Sequence, residues 1–360
     1  MKISSLLSRF RRSNAGNGAQ TAQAADAPRE AADASAAAEA KAREAKAREA
    51  KAQEAKASEA THEEQGDNGN GGMMTESTKV TGSFKIGEDA EFEVAASVQT
   101  DVGRVREINE DSGRFSRPSD PATLATKGVL LIVADGMGGH SAGEVASGMT
   151  VDIVPRLYYA SQSPAPDALR EAVEEANRQI HAASLADESK RGMGTTCTAL
   201  AVVGEEAFAS HVGDSRLYMM REGKVYQMTE DHSAVMEMVK LGLITMDEAR
   251  THEDKNVILR ALGTTPEVEV STLTPFRVRA GDKYLLCSDG LYDLVTDDEI
   301  ERELSAAEDI HAAGERLITM AKGRGGHDNI TVGIVELVPA SGADAPRARE
   351  GAGETREWRV

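Results

Sequence analysis

Five short acidic clusters recur through the longer second part of this 360-residue chain: Asn109-Glu110-Asp111, Asp135-Gly136, Gly213-Asp214-Ser215, Ser288-Asp289-Gly290 and His327-Asp328-Asn329. Carboxylates gathered in one pocket repel one another and raise each other's pKa unless a polyvalent cation neutralises them. Acids placed at strand ends and turns therefore point to an oxygen-ligand metal centre. Hard ions such as Mg2+ and Mn2+ take six oxygens in near-octahedral array and keep several waters, so few direct ligands suffice. Asp135 follows the apolar run Val129 to Ala134, which would carry its carboxylate to a sheet edge, and Gly136 lets a backbone carbonyl come close. Asp289 repeats the arrangement after Tyr-Leu-Leu-Cys-Ser, and Asp328 precedes a last apolar strand. Together they would hold two ions a few ångströms apart, and a water bridging those ions would be hydroxide-like at neutral pH.

The elements that must position these acids come in blocks. Glu91 to Gln99 and Val129 to Ala134 read as strands, the second buried on both faces. Gly143 to Tyr159 and Pro166 to Ala186 read as helices, separated by Pro164 and Pro166. Strands follow at Thr195 to Val203, Ala207 to Val212 and Leu217 to Met220, the last turning at Glu222-Gly223 into Val225 to Met228. A mostly helical insert at 233–261 holds two short helices parted by Gly242. Val268 to Leu273, Lys283 to Ser288 and Ile330 to Leu337 are strands, with helices at Asp297 to Ser305 and Ile310 to Ala321. Strands in runs and helices in pairs predict an α+β fold with helices packed on antiparallel sheets, not a doubly wound parallel sheet.

Charge is placed unevenly. Residues 1–72 carry 11 basic and 11 acidic side chains, so the whole net charge of −19 lies in residues 73–360. Such a body repels nucleic acid and anionic lipid and gathers divalent cations, although an acidic surface also serves plain solubility. Cys197 and Cys287 sit in apolar runs without Cys-x-x-Cys spacing, which argues against zinc and disulfides and for a reduced compartment, the cytoplasm. The longest apolar run, Val129 to Ala134, is too short for a bilayer, which needs about 20 residues. Residues 1–12 mix Lys2, Arg9, Arg11 and Arg12 with Ile3, Leu6, Leu7 and Phe10, enough for weak contact with a membrane surface but not for a signal peptide.

Residues 13–72 are Ala/Glu/Lys/Gly-rich, with Lys41-Ala-Arg-Glu-Ala repeated at Lys46 and, in varied form, at Lys51 and Lys56. A five-residue step turns a helix by about 500°, so no apolar stripe builds up and a coiled coil is disfavoured. The segment 1–72 reads either as a partly helical or disordered tether or as sequence upstream of a start at Met73 or Met74. Residues 90–338 form the globular domain, and 339–360 read as a disordered polar tail.

Six motifs then stand in a telling order. Val105-Arg-Glu-Ile-Asn-Glu-Asp111, Ala134-Asp-Gly-Met-Gly-Gly-His140, Met193-Gly-Thr-Thr196, Val212-Gly-Asp-Ser-Arg216, Cys287-Ser-Asp-Gly-Leu-Tyr-Asp293 and Asp328-Asn-Ile-Thr331 resemble the signature of the PPM (PP2C-type) metal-dependent Ser/Thr protein phosphatases. The bacterial members that oppose Hanks-type kinases are the most similar in style. Each motif alone is weak, since Asp-Gly pairs are common in turns, but the ordered set is specific. The resemblance implies a four-layer α-β-β-α sandwich of two antiparallel sheets flanked by helix pairs, with a dimetal site at one end. It makes Asp135 the carboxylate that bridges two Mn2+ or Mg2+ ions, with the Gly136 carbonyl beside it. Asp289 and Asp328 would complete one ion, Glu110 would reach the other through water, and Asp111 would support it. Asp214 and Asp293, with Asp289, match the family's weaker third-metal site. Arg106 matches its phosphate-binding arginine, and the insert at 233–261 its mobile flap. Implied partners are phosphoproteins and a cognate Ser/Thr kinase, for a monomeric enzyme.

Plainer readings stand beside these. His211, His232 and His327 are expected to be packed or hydrogen-bonded, His140 structural, Met137 core filler and Arg216 paired with a carboxylate. Glu110 and Asp111 suit supporting roles as well as direct ones. Many family members have histidine where this chain has Met137, which leaves water on a third ion as the leading proton donor. A catalytically silent relative would have lost metal carboxylates, and none is lost here. A calcium-binding module would need an Asp-x-Asp-x-Asp-Gly loop, which is absent from the sequence.

Overall fold

The computed structural model describes residues 78–79, 84–85, 92–138 and 142–340. The low-complexity stretch 1–72, the tail beyond 340 and His140 lie outside them. Two antiparallel sheets make up the centre. The first joins β1 (Thr78–Lys79), β2 (Phe84–Lys85), β3 (Phe92–Asp101), β9 (Arg216–Arg221), β10 (Lys224–Gln227), β12 (Lys283–Cys287) and β13 (Ile330–Pro339), in the order β1-β3-β13-β12-β9-β10 with β2 also on β3. The second joins β4 (Asp111–Ser116), β5 (Val129–Met137), β6 (Gly194–Thr195), β7 (Cys197–Val203), β8 (Glu206–Val212) and β11 (Ser271–Arg277), in the order β11-β8-β7-β5-β4 with β6 on β5.

The layering follows from side-chain alternation. Along β5, Val129, Leu131 and Val133 point between the sheets, where they meet Val94, Leu200, Tyr284, Leu286 and Val335. Leu130 and Ile132 point the other way, onto α2 (Ala142–Ala160) and α3 (Ala165–Ala186) through Val154, Tyr158, Leu169 and Val173. On the opposite side, Leu285, Cys287, Ile330 and Val332 meet Ile300, Leu304 and Leu317 of α7 (Asp297–Ala306) and α8 (Ile310–Gly323). This is the α-β-β-α sandwich. Strands that are apolar on both faces are what a sheet covered on both sides requires. Each buried aliphatic side chain contributes about 1.5–3 kcal/mol.

Several elements differ from expectation. β5 runs past Ala134 to Met137 because Gly136 and Met137 pair with Thr195 and Gly194, so Asp135 lies inside the strand rather than beyond it. β4 and the helix α1 (Pro121–Lys127) had no periodic signal. The strand expected at Val268 to Leu273 lies at Ser271–Arg277, with a register shift between Leu273 and Phe276, where Pro275 has no N–H for the ladder. The insert is helical only at α4 (Ala234–Lys240) and α5 (Met246–Ala249), which flank Gly242 at φ +67°. Asp289 opens a one-turn helix, α6 (Asp289–Tyr292), instead of closing a strand.

Candidate metal centre and active site

Asp111 and Asp135 are direct cross-strand partners on β4 and β5, so their side chains share one face of the sheet. The backbone of Asp135 is clamped. Its N–H donates to Thr196 Oγ1 at 2.8 Å, while its carbonyl accepts from Thr196 N–H at 2.8 Å and from Thr195 Oγ1 at 2.9 Å. Thr196 Oγ1 is in turn 2.7 Å from Ser215 Oγ, next to Asp214. The Gly-Thr-Thr and Gly-Asp-Ser motifs thus hold Asp135 by the main chain.

Gly136 is required by crowding. A Cβ there would stand 2.2 Å from the Gly143 carbonyl oxygen and 2.4 Å from that of Glu110. Gly290 is alike, with the Asn329 carbonyl oxygen 2.0 Å from its ideal Cβ. Each Asp-Gly pair is therefore a place where two backbones cross, bringing segments distant in sequence close together.

The loop between β3 and β4 carries Arg106 and Glu110, and Asn329 ties it down. Asn329 Oδ1 accepts from Glu110 N–H at 2.8 Å, and its Nδ2 donates to the Val102 and Ile108 carbonyls at 3.0 Å each. Arg106, half-exposed, donates to Asp328 Oδ2 at 2.8 Å. The phosphate-binding candidate and a ligand candidate are thus paired with each other. Ser288 Oγ donates to Asp111 Oδ2 at 2.7 Å and accepts from Thr331 N–H at 3.0 Å, linking the second sheet to the first.

The electrostatics are those of acids held against their preference. Burial, followed by the charges of Asp111, Asp289, Asp214 and Asp328, holds the Asp135 carboxyl well above the usual carboxylate range. Burial with Asp214, Asp328 and Asp293 does the same to Asp289. Asp214 is pushed up to about 7 by burial and Asp231, and Asp111 to about 6 by burial against the opposing hydrogen bonds of Ser288 and Thr331. Glu110 is raised by burial. Asp214 Oδ1 and Asp289 Oδ1 are buried without a hydrogen-bond partner.

Among the described residues no three acids, histidines or cysteines close into a finished ligand cage. Asp328 is turned to Arg106, Asp111 to Ser288, and Asp293 to Lys255 at 2.5 Å. The donor set still suits a hard divalent ion. It is all oxygen, mutually repelling, and includes two orphaned carboxylate atoms for which a cation is the natural partner. Asp214, Asp289 and Asp293 also line one cavity of about 150 Å³ together with Arg216, Lys255 and Tyr292.

The plainer readings hold for several side chains. Arg216 makes a bidentate pair with Asp231, at 3.0 Å from Nε to Oδ1 and 2.7 Å from its terminal nitrogen to Oδ2, and lies 3.7 Å over the Tyr292 ring. His211 and His232 are buried with ring centroids 4.8 Å apart, and burial lowers both to about 4. His327 departs from its plainer reading, being exposed with Nε2 3.8 Å from Asp293 Oδ2. The sequence reading gave no role to Asn329, Ser288 or Lys255. The first two stood inside quoted motifs, a usable signal, whereas nothing marked Lys255.

Known proteins show the same pattern. Residues 109–322 match the family model described as Protein phosphatase 2C. The serine/threonine phosphatase stp of Listeria monocytogenes is 38% identical over 247 residues, covering 67% of this chain and 95% of that protein. The serine/threonine protein phosphatase PstP of Mycobacterium tuberculosis is 41% identical over 245 residues, covering 67% of this chain and 45% of that longer protein. The crystal structure of M. tuberculosis PstP/Ppp matches with TM-score 0.61 and 38% identity, over 68% of this chain and 99% of that one. The PstP catalytic domain in complex with two manganese ions matches with TM-score 0.59. With its ordered acids, its two-sheet sandwich and these relatives together, the chain belongs to the Protein phosphatase 2C family of serine/threonine phosphatases.

Proposed function

We propose that this chain hydrolyses phosphoserine and phosphothreonine in proteins with the help of Mn2+ or Mg2+, reversing a Ser/Thr kinase. The observation that carries the reading is that Asp214 Oδ1 and Asp289 Oδ1 are buried without a hydrogen-bond partner, in a cluster where burial first, and neighbouring acids after it, raises Asp111, Asp135, Asp214 and Asp289. In this reading Asp135, with the Gly136 carbonyl beside it, would hold divalent ions together with Asp289 and Asp328. Glu110 serves one of these ions and Asp111 supports it, while Asp214, Asp289 and Asp293 form a weaker third site. Bound divalent ions supply Lewis acidity toward the phosphoryl oxygens and an activated water as nucleophile.

The protein's own groups do the rest. Thr195 and Thr196 fix the Asp135 main chain, so the carboxylate meets its partners without reorganising. Arg106, exposed at the rim, exchanges Asp328 for a phosphoryl group that its planar fork can grip with two donors. Ser288 keeps Asp111 oriented from the opposite sheet. Among the described residues no helix is long and apolar enough to cross a membrane. Cys197 and Cys287 are free and buried, which fits a reducing cytoplasm.

The test is phosphate release from a phosphothreonine peptide by the full chain in Mn2+, repeated in EDTA and with Asp135→Asn. Turnover that needs the ion and the carboxylate supports the reading. Turnover that survives EDTA contradicts it.

A further inference from the structure

The insert 233–261 returns to the body at a hydrogen-bonded base. Ala234 N–H donates to the Val257 carbonyl at 2.8 Å, Leu259 N–H to the His232 carbonyl at 2.7 Å, and Ser233 bridges to Ile258. Just short of that base, Lys255 reaches across to the acid cluster and places Nζ 2.5 Å from Asp293 Oδ2, with both side chains about one-third exposed or less. His327 Nε2 lies 3.8 Å from the same oxygen. The cavity of about 150 Å³ beside the pair is lined by Val235, Met236, Met246 and Ala249 from the insert and by Asp214, Asp289 and Asp293. Asp214, which lines this cavity, is 4% exposed, and its Oδ1 is buried with no hydrogen-bond partner.

We propose that the Lys255 ammonium takes the cation's place at Asp293, so that docking of the insert through Lys255 and filling of the Asp214–Asp289–Asp293 cation site exclude each other. The inference rests on the ligand reading of those three acids given above. A side-chain oxygen already 2.5 Å from an ammonium offers neither its lone pairs nor its charge freely to a divalent ion, and two cations on one carboxylate repel. The coupling is reciprocal. An ion entering the site releases Lys255 and frees the insert to swing from its base, opening Met236 to an incoming phosphoprotein beside the already exposed Met246. A docked insert weakens the ion. Lys255 is thus a positioning residue that makes access to the cleft depend on divalent-ion concentration.

The experiment uses the full chain and Mn2+ alone. Calorimetric titration separates tight from weak ions, and hydrogen–deuterium exchange follows residues 241–257. In the wild type, exchange over this segment should rise as the weak ion binds. Lys255→Met should raise exchange without added Mn2+ and tighten the weak ion about five- to tenfold, leaving the tight ions unmoved. Lys255→Arg, which keeps the charge, should behave as wild type. Loss of the weak ion in Asp293→Asn, with weak-ion affinity in Lys255→Met unchanged, would overturn the latch alone. A weak ion that persists in Asp293→Asn would overturn the ligand reading of Asp293 and the latch with it.

Discussion

Asp111 and Asp135 face each other across the β4–β5 ladder, yet their surroundings differ. Asp111 has a hydroxyl donor, Ser288, 2.7 Å away. Asp135 is secured by its main chain, through Thr195 and Thr196, while its carboxyl feels four other acids. One sheet position is thus fixed through its main chain and its neighbour through its side chain.

That difference sets the outcome of two substitutions. Asp135→Asn and Asp289→Asn keep the side-chain shape and remove a repelled charge, so we expect both variants to fold. Their phosphatase turnover should fall at least about a hundredfold, the scale on which one electrostatic partner of a transition state acts. Steady-state kinetics with p-nitrophenyl phosphate and Mn2+ reads this directly, and unchanged kcat in either variant would remove that residue from the site.

Asp214, at about 7 in the folded chain, gives a signed pH dependence. An unhindered aspartate titrates near 3.9, so protonation favours the folded state; the stability it contributes is full below about pH 4 and is lost as pH climbs through 7. His211 and His232, lowered to about 4, act oppositely, because stability falls as pH drops from 6.5 toward 4. Comparing wild type with Asp214→Asn isolates the aspartate. In EDTA the variant should gain melting temperature over wild type as pH rises from 4.5 to 8, by roughly 3–10 °C. A difference that stays flat with pH would show that Asp214 is not a strained acid.

Arg106 is half-exposed and, among the described residues, pairs with the partly exposed Asp328, so its loss should leave the fold intact. Arg106→Ala should raise KM for a phosphopeptide about tenfold and change kcat less, and Arg106→Lys should recover only part, since a point charge lacks the two-donor fork. An unaltered KM would end its phosphate role.

Asn329 carries three hydrogen bonds to the loop that presents Arg106 and Glu110. Asn329→Ala should cost about 1–3 kcal/mol in urea denaturation and speed hydrogen exchange over residues 102–110. Exchange that rises elsewhere but not in this loop would argue against the tether.

How much of this was legible in the sequence depended on whether the cause was local. The apolar runs of β5 and β12 and the prolines that open α3 could be read from a few neighbouring residues. β4 could not, because Asp-Ser-Gly-Arg-Phe-Ser has no alternation and is an edge strand only by pairing with β5. The motifs marked Gly136 as a place where a backbone carbonyl comes close, but not whose carbonyl it would be. Gly136 and Gly290 are set by backbone crossings with Glu110, Gly143 and Asn329, contacts that exist only once the chain has folded. Lys255 had no local signal, since its partner Asp293 is 38 residues away.

The claim on which the account depends is that these acids form a cation site. Equilibrium binding of Mn2+ to the full chain, set beside Asp135→Asn, tests it most directly. We expect wild type to take up at least two ions in the micromolar range or tighter, on the order of biological metal sites, and Asp135→Asn to lose them while keeping its fold by circular dichroism. Equal uptake by both proteins, or none by wild type, would contradict the account.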